Sequence, residues 1–124
     1  MNLMHGVDPG LGSVATRVFV FNQSTDMRKS FHGLAGLVAQ HFASVDLLSG
    51  HLFLFFNRRR DCVKILYFDR DGLAIWYKRL EAGTFQRTSE IKGDAIEIDH
   101  TELSLLLAGI DLSSARRRKR YKIA

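Results

Sequence analysis

Residues 56–83 read F-N-R-R-R-D-C-V-K-I-L-Y-F-D-R-D-G-L-A-I-W-Y-K-R-L-E-A-G. Apolar, β-branched and aromatic runs alternate here with short polar clusters, the pattern of strands joined by tight turns. Together with the apolar run that leads into Phe56, the stretch predicts strands at 51–56, 62–68 and 73–80. The first turn carries Arg58, Arg59 and Arg60 between Asn57 and Asp61, two good turn formers. The second is Asp69-Arg70-Asp71-Gly72, where glycine suits the left-handed position of a three-residue hairpin with a bulge. With Asp69 facing Leu73, one sheet face carries Val63, Ile65, Tyr67, Leu73, Ile75 and Tyr77. That purely apolar face is expected to meet a helix. The other, with Lys64, Leu66, Phe68, Ala74, Trp76 and Lys78, is mixed and reads as half exposed.

Upstream, residues 17–22 (R-V-F-V-F-N) predict another strand. Ser24, Thr25 and Asp26 offer helix-capping oxygens. Apolar residues then fall at Met27, Phe31, Leu34, Val38 and Phe42, the spacing of one helical face over 27–42. Residues 46–50 read as a loop. Downstream, residues 84–92 form a polar connection with a candidate edge strand at 84–87, and 96–98 suggest a short strand. Asp99 with Glu102 three residues on has the form of a helix start before the apolar run 103–107, and Gly109 ends it. The fold class expected is α+β: an antiparallel meander on one main helix, a short C-terminal helix and a basic tail. The expected organisation is a leader over 1–15, one domain over 16–112 and a disordered tail over 113–124.

The 124 residues suffice for one domain. The net charge of +5 is misleading, because Arg116, Arg117, Arg118, Lys119, Arg120 and Lys122 supply six positive charges at one end. Without them 12 Lys and Arg face 13 Asp and Glu, a net of −1. The basicity therefore belongs to the tail and not to the folded body. One cysteine, Cys62, excludes an internal disulfide and fits a reducing compartment. The longest apolar runs, 52–56 and 103–108, are far shorter than the roughly 20 residues of a membrane span. A cytoplasmic protein with no membrane association is expected.

The quoted blocks carry a family resemblance. N-R-R-R-D, K-I-L-Y-F-D-R-D-G and W-Y-K-R-L-E-A-G follow an upstream D-M-R-K-S-F with G-L-A (residues 26–31 and 33–35) and S-G-H-L-F at 49–53. In that order they resemble the small accessory protein encoded beside the transposase in a group of large bacterial insertion sequences, insertion sequence family sixty-six. The likeness covers about residues 25–83, with a weaker echo at 105–111. It implies a non-catalytic accessory factor for transposition, whose partners are the transposase and other proteins of the same element. His32 stands where the family usually has an acidic residue, which argues against a catalytic carboxylate at that position.

The candidate nucleic-acid-binding residues follow from chemistry. Arg58, Arg59 and Arg60 can pair bidentately with phosphate oxygens; the alternative is a solvated turn. Lys64, Lys78 and Arg79 extend the patch, with Lys64 and Lys78 placed on one face beside Trp76; the alternative is a lysine-protected sheet face. Arg28 and Lys29, placed in the first helical turn, mark a possible anion site unless Asp26 already satisfies that terminus. Arg116, Arg117, Arg118, Lys119 and Arg120 form a salt-sensitive polyanion tether or a solubilising end. The expected nucleic acid is DNA, at element ends or non-specifically. The alternative is an adaptor that binds the transposase without contacting DNA, through the acid-rich segment 90–111 and an exposed sheet edge.

Signs of catalysis are missing from the sequence. His5, His32, His41, His51 and His100 have no metal-ligand spacing with Cys62 or one another. Gly10-Leu11-Gly12 does not join a strand to a helix, and Asp69 and Asp71 look like turn formers. Cys62 reads as a buried, inert thiol. No catalytic residue, metal or cofactor is expected.

Overall fold

The computed structural model describes residues 16–86 and 93–108. Five strands form one mixed sheet in the order β4-β3-β2-β1-β5. They are β1 (Val18–Phe21), β2 (Leu52–Phe56), β3 (Cys62–Asp69), β4 (Gly72–Arg79) and β5 (Ala95–Ile98). The helices are α1 (Phe31–His41) and α2 (His100–Ala108), with a 3-10 turn at Leu47–Ser49. The fold is α+β, as the sequence implied. Strands β2, β3 and β4 make the expected antiparallel meander. The sheet is nevertheless not a meander throughout. β1 pairs parallel with β2 and antiparallel with β5. Parallel neighbours need a crossover, which α1 and the 3-10 turn provide.

Both faces of the sheet are covered. Phe19, Phe21, Phe53, Phe55 and Leu66 pack with Leu34, Val38 and Phe42 on the α1 side. Val18, Val20, Leu52, Leu54, Phe56, Val63 and Ile65 pack with Phe85, Leu103 and Leu106 on the α2 side. The runs V-F-V-F and L-F-L-F-F lack polar alternation because each strand is buried on both sides. At roughly 1.5–3 kcal/mol per fully buried large apolar side chain, these two layers supply the main drive for folding.

The expected register of β3 and β4 is displaced by one residue. Asp69 faces Gly72, and Phe68 faces Leu73. The loop is therefore the pair Arg70-Asp71. Arg70 takes the left-handed conformation (φ 59°), and the Asp71 amide turns onto the Asp69 carbonyl at 2.6 Å. Because side chains alternate, a one-residue slip exchanges the faces of a whole strand. Val63, Ile65 and Trp76 consequently join the α2 layer, while Leu66, Leu73 and Ile75 join the α1 layer. On β3 the residues expected to meet the long helix, Val63, Ile65 and Tyr67, are covered by α2 instead, while on β4 Leu73 and Ile75 do lie on the α1 side. Lys64 faces Tyr77 and Lys78 faces Val63, so the two lysines project from opposite faces.

Helix α1 begins at Phe31 rather than near Met27. Asp26 builds a turn instead, accepting the Arg28 amide at 2.9 Å on its carboxylate and the Lys29 amide at 3.0 Å on its carbonyl. The carbonyls of Met27 and Lys29 are occupied by the Lys64 ammonium, at 2.8 and 2.7 Å. Helical bonds from amides one turn on are replaced there by a buried cation. Phe31, assigned by spacing to the core, is 46% exposed at the helix start. Residues 84–86 are not a strand, and Arg87 lies outside the described residues.

At the other end the anticipated capping box is present. The Glu102 amide donates to the Asp99 carboxylate at 2.7 Å, and the Asp99 amide donates back to Glu102 at 3.2 Å. The leader 1–15 and the end of the domain beyond residue 108 lie outside the described residues.

Candidate nucleic-acid interface

Asn57 organises the arginine turn. Its side-chain oxygen accepts the Cys62 amide at 3.0 Å, and its side-chain amide donates to Asp61 at 2.6 Å. Its carbonyl accepts the Arg60 amide at 3.1 Å, closing a four-residue turn whose central positions are Arg58 and Arg59. The bond from Asn57 holds the Asp61 carboxyl below its ordinary value, with Arg59 adding to the effect. Arg58 and Arg59 are exposed on this closed support.

Arg60 behaves differently. It adopts the left-handed backbone conformation (φ 59°) and folds inward. Its guanidinium donates to the carbonyls of Phe85 and Gln86, both at 3.0 Å, and lies 4.2 Å from the centre of the Phe56 ring. Its role is to hold the segment after β4, so only two of the three arginines are presented outward.

Lys64 leaves the candidate set altogether. It is 8% exposed, its ammonium is bound by two carbonyls, and it lies over the Tyr77 ring at 4.9 Å. A buried, carbonyl-bound ammonium is not available to a phosphate. Lys78 and Arg79 are exposed at the end of β4, with Arg79 opposite Cys62 and hence beside the arginine turn. The Asp61 carbonyl accepts the Leu80 amide at 2.7 Å and ties the two segments together. Arg58, Arg59, Lys78 and Arg79 are thereby gathered at one end of the sheet.

The Arg28–Lys29 site is not at a helix terminus, since α1 begins at Phe31. Arg28 chelates Asp26 through Nε and Nη2, at 3.0 and 2.7 Å to Oδ2. That contact holds the Asp26 carboxyl at about 2 and raises the guanidinium. Lys29 lies along Gly33, where an added Cβ would come within 3.2 Å of its stem. Arg116 to Arg120 lie outside the described residues.

Spacing did not point to the segment Asn22-Gln23-Ser24, which shares a cavity of about 220 Å³ with Asn57, Arg58 and Arg60. Its sequence signals were a polar triplet directly after an apolar strand and the capping oxygen of Ser24, neither of which marks a binding site. The acidic segment is largely engaged internally among the described residues. Asp94 accepts from Gln23 at 2.8 Å and meets His41 at 3.0 Å, contacts that lower its carboxyl in that order. Glu97 pairs with Arg17 at 2.7 Å, which lowers it too. Asp99 and Glu102 are spent on the capping box. Cys62 is buried, and the Tyr77 hydroxyl reaches its Sγ at 3.8 Å. Among the described residues no cluster of metal-ligating side chains occurs, and no helix is long and apolar enough to cross a membrane.

The family described as "IS66 Orf2 like protein" matches residues 16–117. The chain belongs to that family. Membership carries an accessory role in transposition and association with the transposition machinery of the element. The family is not a known catalytic one. Two relatives come from Sinorhizobium fredii (strain NBRC 101917 / NGR234). The uncharacterized protein y4hO is 39% identical over 95 residues, covering 77% of this chain and 81% of the relative. The uncharacterized protein y4jC is 32% identical over 102 residues, covering 82% and 86%. No solved structure matches the chain.

Proposed function

We propose that this IS66 Orf2-like protein is a non-catalytic, cytoplasmic accessory factor that contacts DNA through its arginine turn and basic tail. One observation supports this reading most directly. Arg58 and Arg59 are exposed at the centre of a turn closed by Asn57, while Arg60 is spent holding the scaffold. A preorganised pair of guanidiniums matches phosphate geometry, and little side-chain support has to form on binding. Lys78 lies at the same end of the sheet, and Arg116 to Arg120 add sequence-independent attraction. Such contacts position a protein on a duplex without reading bases.

Electrophoretic shift of element-end DNA against random DNA, with and without the transposase, tests this. Replacing Arg58 and Arg59 with Ala is expected to weaken DNA binding at low salt and leave the fold intact. Unchanged affinity in a folded double variant would refute the contact and favour an adaptor that touches only protein.

A further inference from the structure

Strand β4 is an edge of the sheet, and among the described residues nothing pairs with its outer side. It is eight residues long, and Leu73, Ala74, Ile75 and Trp76 are half-buried while Tyr77 is 52% exposed. Natural edges are usually blunted by charges, proline, bulges or short length. From Leu73 to Tyr77 this one carries none of those devices.

Its backbone polarity is set by β3. The Leu80 amide bonds to the Asp61 carbonyl, and bonded pairs recur every second residue along an antiparallel ladder. Gly72, Ala74, Trp76 and Lys78 therefore turn their amides and carbonyls toward β3. Leu73, Ile75, Tyr77 and Arg79 turn theirs outward. We infer that β4 pairs antiparallel with β4 of a second copy about a two-fold axis at Ile75, joining the two sheets into one.

Backbone parity allows that centre, and side-chain size and charge select it among the centres that parity allows. Outward-turned residues must face one another, and Leu73 then faces Tyr77 while Ile75 faces itself. Side-chain sizes must fit, and Trp76 falls opposite Ala74. Charges must complement, and Arg79, the last residue of β4, comes level with Asp71 in the turn that leads into β4 of the other copy. The neighbouring registers that keep the backbone parity are centred on Ala74 or Trp76. The first brings Arg70 toward Lys78 and Gly72 opposite Trp76. The second brings Asp71 toward Glu81 and stacks Trp76 on itself. The symmetric match within one strand is what selects a second copy over an unrelated strand, because a two-fold contact must be self-complementary. The pairing gives Arg79 a carboxylate partner and leaves Arg58, Arg59 and Lys78 to the nucleic-acid reading.

Sedimentation equilibrium of the full chain tests the pairing. The wild-type chain is expected to form dimers, twice 14.1 kDa. Arg79→Asp and Asp71→Arg should each weaken dimerisation by about tenfold or more, since each places like charges at two symmetric positions. The double exchange should restore it. Tyr77→Pro removes an amide that β3 does not use, so it should give a folded monomer by circular dichroism. If that variant does not fold, the charge exchange decides alone. Arg58→Ala with Arg59→Ala should remain dimeric whatever it does to DNA binding, so the two proposals fail separately. A wild-type monomer at every concentration, a dimer indifferent to Tyr77→Pro, or an exchange that fails to restore association would overturn the inference.

Discussion

Arg60 and Phe85 are joined twice: the Phe85 amide donates to the Arg60 carbonyl at 2.7 Å, and the Arg60 guanidinium donates to the Phe85 carbonyl at 3.0 Å. This reciprocal bridge fastens the chain leaving β4 to the tip of the β2–β3 hairpin. It also sets Phe85 against Phe56 at 5.6 Å between ring centres, within the α2-side core. The arginine turn thus contains one structural residue and two presented ones.

Substitution should separate those roles. Arg60→Ala removes two charge-assisted hydrogen bonds and the packing over Phe56, at an expected cost of about 2–4 kcal/mol. Arg60→Gly should cost about 1 kcal/mol less, because glycine tolerates the left-handed backbone without strain. Arg58→Ala and Arg59→Ala should each stay within about 0.5 kcal/mol of wild type, as exposed positions do. Urea denaturation of the four variants measures the contrast. Equal effects at residues 58 and 60 would contradict the assignment.

The elements were legible because their signals are local. Apolar runs mark β1 to β4, and the Asp99/Glu102 pair marks the start of α2. The parallel pairing of β1 with β2 was not legible, since it depends on a crossover that no single segment encodes. The unalternated apolar residues of β1 and β2 did encode burial on both faces, a signal outweighed by the mixed composition of β3 and β4. The register of the hairpin turned on whether Gly72 or Arg70 took the left-handed position, and composition favours glycine. That single choice put Lys64 in the surface patch. Arg60, identical in type to its neighbours, could be told from them only by where residues 85 and 86 pass.

Lys64 should matter for stability rather than binding. Its ammonium satisfies the Met27 and Lys29 carbonyls and anchors the turn that leads into α1. Lys64→Met keeps the stem and deletes the charge, leaving two carbonyls to find water. A loss of about 2 kcal/mol is expected, with DNA affinity unchanged in the folded fraction. Chemical denaturation and a shift assay on the same sample check both halves. A variant that folds as well as wild type and binds DNA more weakly would return Lys64 to the interface.

Acid should destabilise the fold in two stages. The His51 ring is held below its ordinary 6.5, by burial first and by the Arg17 charge second. Its Nδ1 accepts the Arg17 amide at 3.0 Å, which requires the neutral ring. The unfolded chain therefore takes up this proton first. Stability falls as the pH drops below 6.5 and levels off once the folded ring has titrated as well. The second stage belongs to Asp26, Asp61, Asp94 and Glu97, all held below their ordinary values. Their contribution is complete above the usual carboxylate range and is lost as the pH falls through their lowered values, for Asp26 about 2. Melting temperatures across pH 8 to 2 should show both stages, and His51→Gln should abolish the upper one alone. A profile unchanged by that substitution would remove His51 as its origin.

The basic end should control how DNA binding responds to salt. Six positive charges lie within residues 116–122, while the remainder of the chain is near neutral. A cluster of that kind binds by displacing counterions, and each phosphate neutralised steepens the fall of log K with log salt by roughly 0.9. Deleting residues 116–124 should flatten that slope by several units, to the value set by Arg58, Arg59 and Lys78. The domain should keep its melting temperature, since among the described residues both core layers are assembled from positions up to Leu107. Replacing Arg58 and Arg59 in the full chain should change the slope by at most about two, one for each phosphate that is no longer neutralised. Titrations at a series of salt concentrations, with and without the deletion, give both numbers. If deletion leaves the slope unchanged in a folded protein, the tail does not reach DNA and the turn carries the contact alone. If deletion unfolds the domain, the tail is part of the structure and its charges serve the fold.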